Sequence, residues 1–101
     1  MKTNLPNLPD NYRVEFEGTT IKCTYSLAFP KNIAKILPPN VLSYYDIVDT
    51  RKGYRCIITN NIINSNNIWD NYFVLKNKVM TQCRRAKIVA LKTEIKQLTL
   101  F

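Results

Sequence analysis

Apolar and polar positions alternate strictly from Tyr12 to Glu17: Tyr12, Val14 and Phe16 are separated by Arg13, Glu15 and Glu17. A period of two predicts a strand with one apolar face. The pattern restarts after Gly18-Thr19, where Ile21, Cys23, Tyr25, Leu27 and Phe29 alternate with Lys22, Thr24, Ser26 and Ala28. Gly at the first position of a two-residue loop fits a type II′ turn, so the two runs form a hairpin. Pairing Glu17 with Thr20 sets Phe16 against Ile21, Val14 against Cys23 and Tyr12 against Tyr25. On the opposite face Glu15 meets Lys22, a pair of unlike charges. A slip of one residue would mix the two faces.

Pro30 ends the second strand. Lys31 to Leu37 carries Ile33, Ile36 and Leu37 at helical spacing, which predicts a short helical turn before Pro38-Pro39 stop it. Val41 to Val48 and Tyr54 to Thr59 are rich in β-branched and aromatic residues. With Asp49 to Gly53 as a five-residue loop they predict a second hairpin. Setting Val48 opposite Tyr54 also brings Asp46 beside Cys56, so its register stays open. Asn60 to Asn67 reads as a polar turn segment, in which Ile62-Ile63 tuck against the core and Asn67 caps the final helix.

From Asn67 to Phe101 there is neither Gly nor Pro, and the period changes to that of a helix. At 100° per residue Tyr72, Leu75, Val79, Cys83, Ala86 and Ala90 make one narrow stripe, whose small alanines permit close approach to a sheet. A second apolar row, Trp69, Phe73, Met80, Ile88, Leu91, Ile95 and Leu98, lies about a quarter-turn round. Lys78, Arg85, Lys92 and Lys96 form a third row roughly opposite the first, flanked by Arg84 and Lys87, over about 27 Å. The expected fold is therefore α+β. Two antiparallel hairpins form a small sheet packed by one long C-terminal helix, with a short helical turn between the hairpins. Residues 1–11 are an irregular N-terminal arm, and 12–101 a single domain of modest core.

Charge sharpens this picture. The chain has 15 Lys and Arg against 7 Asp and Glu, a net charge of +8. The excess is local: Lys76 to Lys96 holds seven basic residues and only Glu94, a net +6, whereas residues 1–75 hold eight basic and six acidic residues. Such a balance favours anionic partners, although net charge also serves plain solubility. A solvated helix face ordinarily mixes signs, and this one hardly does.

Other classes of chemistry lack their residues. There is no His, so nucleophile–imidazole pairs and His-based acid–base work are excluded. Three widely spaced cysteines with no Cys-x-x-Cys make a poor zinc set, and Cys23, Cys56 and Cys83 read as reduced, buried thiols. Gly18 and Gly53 belong to turns, which leaves no phosphate-cradling loop. Glu15, Glu17, Asp46 and Asp49 fall on solvent-facing or turn positions rather than as a catalytic pair. The expectation is a non-enzymatic protein with no cofactor and no metal. Strand tyrosines Tyr12, Tyr25, Tyr44, Tyr45 and Tyr54 offer rings for base stacking on an open sheet, but the commoner role is a half-buried cross-strand neighbour.

No apolar run reaches membrane-spanning length, and Pro6 and Pro9 stand where a signal peptide would need an apolar segment. The expected location is cytoplasmic, with no membrane partner. The expected function is binding of nucleic acid, a nucleoprotein or an acidic protein surface through Lys78, Arg84, Arg85, Lys87, Lys92 and Lys96. The runner-up is a protein–protein module, of the kind a virus or mobile element uses to inhibit a host nucleic-acid enzyme or defence complex. Ile88, Leu91, Ile95 and Leu98 would form its partner or homodimer interface.

Overall fold

A computed structural model gives the architecture; it describes residues 8–98, with side chains as far as residue 96. The strands are β1 (Tyr12–Glu17), β2 (Thr20–Ala28), β3 (Ile47–Thr50) and β4 (Gly53–Ile62). They form one antiparallel sheet in the order β1-β2-β4-β3. Two short helices, α1 (Lys31–Ala34) and α2 (Pro39–Tyr44), link the hairpins, and α3 (Ile68–Leu98) packs across β2 and β4. The α+β arrangement of two hairpins under one long helix is the one the sequence predicts. Of the expected arm, residues 1–7 lie outside the described residues, and Leu8 packs against the core.

The first hairpin has the predicted register, from Tyr12 opposite Tyr25 to Glu17 opposite Thr20. Gly18 has φ +62° and Thr19 does not share a positive φ, the signature of a type II′ turn. Glu15 and Lys22 face each other in this register. Among the described residues, however, they do not close to ion-pair distance.

The second hairpin departs from expectation. Val41 to Tyr45 is not strand, because Pro39 occupies the first turn of α2 and pre-sets a helical φ. Pro38-Pro39 thus end one helix and start the next, which overrides the β-propensity of Val41, Tyr44 and Tyr45. Asp46 follows the α2 cap in the left-handed region, φ 61°, and turns the chain into β3. The loop shrinks from five residues to two, Arg51-Lys52, and Val48 pairs with Arg55 rather than Tyr54. That shift sets Ile47 against Cys56, apolar on apolar, while the Asp46 carbonyl accepts from the Ile57 N–H at 3.0 Å and extends the bonding by one residue. Strand β4 also runs on through Asn60 and Asn61 to pair with Cys23 and Lys22. The side-chain cap falls earlier than Asn67: Asn64 Oδ1 accepts from the Asn66 N–H, opening a 3-10 turn that leads into α3.

The core lies between the inner face of the sheet and the first apolar stripe of α3. Leu75, Val79 and Ala86 are fully buried, and Ile68, Cys83 and Ala90 nearly so. Tyr12 Oη donates to the Ile68 carbonyl at 2.7 Å and ties the start of α3 to an edge strand. Burial, and after it the neighbouring Cys23 thiol, push the Tyr12 phenol well above its ordinary range, against a smaller lowering by Asn71.

One polar contact sits in this seam. Asn60 Nδ2 donates to Asn71 Oδ1 at 2.7 Å and Asn71 Nδ2 returns a bond to Asn60 Oδ1 at 2.8 Å. The pair joins β4 to α3 and satisfies a buried amide. Asn71→Leu leaves the Asn60 amide unmatched and is expected to cost about 1–3 kcal/mol by urea denaturation. Adding Asn60→Val should recover much of that loss, since replacing both partners by apolar groups strands neither.

Candidate nucleic-acid interface

Helix α3 has 31 residues and so runs about 46 Å at about 1.5 Å per residue. The last of its residues to enter the core is Ala90. Beyond that point the predicted inner stripe meets Thr93 and Gln97, and the apolar residues that approach the helix come from α1 rather than the sheet. Near its far half it meets α1, where Ile33 and Ile36 share a shallow depression with Lys87, Ala90, Leu91 and Glu94.

The predicted basic residues are all exposed. The fold divides them between two flanks of the helix. Lys78 and Arg85, seven residues apart and thus nearly in line, open onto a cleft of about 440 Å3 beside Asp46, Ile58 and Gln82. Lys92 and Lys96 extend that line past the sheet. Arg84 and Lys87 fall on the other flank, around a depression of about 370 Å3 with Leu27, Ala28, Met80 and Cys83. The six residues therefore make one row of four and a separate pair, not one patch. Arg84 stands about 100° from Arg85 on the helix, which is what separates neighbours in sequence onto different flanks.

Among the described residues Lys78, Arg84, Arg85, Lys87 and Lys92 form no ion pair. Asp46 shares the Lys78–Arg85 cleft, but its Oδ2 accepts from Gln82 Nε2 at 3.0 Å. Lys76, on the other side, lies with its ammonium 5.7 Å from the centre of the Tyr72 ring.

The second apolar row is uncovered. Trp69, Phe73, Met80, Ile88, Leu91 and Ile95 are 43–57% exposed; the Leu98 side chain lies outside the described residues. Trp69 and Phe73 are held in edge-on contact with Tyr72, at 5.7 and 5.0 Å between ring centres. Tyr72 in turn meets Tyr12 and Tyr25 at 5.2 and 5.7 Å. These strand tyrosines are buried under the helix, so they are packing neighbours and not base-stacking platforms.

Cys83 borders the Arg84–Lys87 depression. The neighbouring Cys56 thiol holds its pKa down to about 7, against the opposing effect of burial and with help from the Lys87 ammonium. The Cys56 thiol is pushed up by Cys83 and by burial. Cys56 and Cys23 are wholly buried, Cys83 slightly exposed. Cys83 is expected to be the first thiol alkylated by iodoacetamide in the native protein, with a rate rising through about pH 7. Peptide mass mapping checks this, and modification of Cys56 or Cys23 first would contradict it.

Among the described residues no group of three or more acids or cysteines could hold a metal ion, and no helix is long and apolar enough to cross a membrane. No family model, curated protein or solved structure matches the chain.

Proposed function

We propose that this is a small non-enzymatic binding protein that lays one flank of α3 along the phosphates of a nucleic acid or nucleoprotein. The observation that carries this reading is the row Lys78, Arg85, Lys92 and Lys96. Its members recur along about 27 Å of one rigid helix, extend past the sheet, and are interrupted by no acid on that line. Affinity on such a surface comes from counterion release and reads no base. Three phosphate contacts, from Lys78, Arg85 and Lys92, give a slope of about −2.7 in log K against log salt, so raising salt from about 50 to 200 mM weakens binding about fortyfold. Fluorescence anisotropy with a short duplex and a short single strand tests this. Affinity that does not change with salt, or no binding to DNA or RNA, overturns it.

The exposed apolar row favours a second, compatible reading, that of a protein–protein module. Ile88, Leu91, Ile95 and Leu98 succeed one another at steps of three, four and three, the spacing of a coiled-coil seam. The occupant consistent with that spacing is a second copy of the chain, paired through the end of α3 with the basic rows outward. Sedimentation is expected to give twice the chain mass for the native protein and the single-chain mass for Leu91→Glu. A native monomer at all concentrations would remove this reading.

A further inference from the structure

Helix α3 covers one face of the sheet, and the opposite face is a trough of about 570 Å3. Strand alternation sends to it Arg13, Glu15, Lys22, Thr24, Ser26, Arg55 and Thr59, with Ile57 as the one apolar strand residue. With Lys52 from the β3–β4 turn there are four cations, against the two carboxylates Asp10 and Glu15, a surplus of two positive charges. The floor is hydroxyl-rich. Thr24 and Thr59 share a hydrogen bond of 2.9 Å across β2 and β4.

Two of the cations are set up to receive a ligand. Arg55 is half-buried, and its Nε donates to Ser26 Oγ at 2.6 Å. That bond fixes the plane of the guanidinium while its terminal N–H groups have no partner among the described residues. An arginine fork held this way is pre-organised for a planar or tetrahedral oxyanion. Lys22 is half-buried as well, and the facing Glu15 does not engage it in an ion pair.

Apart from Ile57, Asn11 and the two carboxylates the lining is Arg, Lys, Ser and Thr without aromatics, side chains that contact sugar and phosphate rather than stack on bases. An acidic peptide in extended form would add to a sheet edge, where backbone groups are unpaired. This face lies over β2 and β4, whose backbone groups are engaged in the ladder, and it offers side chains alone. A flexible single strand can follow such a concave face more closely than a rigid duplex can.

We propose that the uncovered sheet face is a second binding surface, for the sugar–phosphate backbone of single-stranded nucleic acid, on the opposite side of the sheet from α3. It lacks the stacking rings that strengthen other single-strand grooves, so its binding is weak and indifferent to sequence.

The test uses amide chemical shifts of the full chain titrated with short oligo(dT) at low salt, in the native protein and in a variant with Lys78→Glu, Arg85→Glu and Lys92→Glu. The amides of Arg13, Lys22, Thr24, Arg55 and Thr59 are expected to move in both proteins. Arg55→Gln should weaken that site roughly tenfold. Lys22→Gln, at a side chain with no hydrogen bond among the described residues, should weaken it several-fold. Inorganic pyrophosphate should move the same amides with lower affinity, and oligoglutamate should not. Stationary sheet amides, or oligoglutamate binding as tightly as oligo(dT), overturn the proposal. Movement along α3 alone would defeat this site and leave the helix reading intact; movement on the sheet alone would do the reverse.

Discussion

Replacing Lys78, Arg85 and Lys92 by Glu is expected to lower nucleic-acid affinity at least about a hundredfold at low salt and to flatten the salt slope by about 2.7. Each of the three side chains is exposed and none forms an ion pair among the described residues, so the change should leave the fold intact. Far-ultraviolet circular dichroism and the urea midpoint should therefore match the native protein. Reversing Arg84 and Lys87 instead touches the other flank and should spare most of the slope. Equal losses from the two sets of substitutions would mean that binding tracks overall charge rather than one row.

The largest expected loss of stability comes from Leu75→Ala. Leu75 is wholly buried at the centre of the α3 stripe, beneath which β2 and β4 run. Truncation removes its transfer free energy and leaves a cavity between helix and sheet, together about 2–5 kcal/mol. For a domain of this size each kcal/mol moves Tm by roughly 4–8 °C, so a fall of at least about 10 °C is expected by calorimetry. Leu91→Ala, on an exposed position of the same helix, should stay within about 0.5 kcal/mol at concentrations low enough to keep the chain monomeric. Comparable losses at the two positions would mean that the helix does not seat its Leu75 stripe on the sheet.

The contrast between those two leucines also shows how far periodicity reaches. Angular position alone separates Leu75 from Leu91, and the buried stripe from Tyr72 to Ala90 can be read from the sequence. The first hairpin is equally readable, because Gly18 and strict alternation leave a single register that keeps both faces consistent. The second hairpin is less legible for physical reasons. Pro39 acts as a helix starter only once the chain behind it has turned, and the left-handed Asp46 that sets the register carries no local pattern. The Asn60–Asn71 pair joins residues that read as turn and helix surface when taken separately.

The basic row is legible and its division is not. The helix angle sets Arg84 and Lys87 apart from Arg85, but what each flank adjoins depends on how α3 lies across the sheet. Asp46 meets Lys78 and Arg85 at one flank, and Leu27 meets Arg84 and Lys87 at the other. The cationic trough depends on a still longer connection. Arg13, Lys22 and Arg55 share a face only because β2 and β4, adjacent in the sheet, are separated in sequence by α1, α2 and β3.

The most direct test of the helix reading is an amide-shift titration of the native protein with a short duplex at low and high salt. The largest changes are expected at and around Lys78, Arg85 and Lys92, and they should collapse as salt rises. Changes centred on Trp69 and Phe73 that persist at high salt, or no change along residues 78–92, would contradict it.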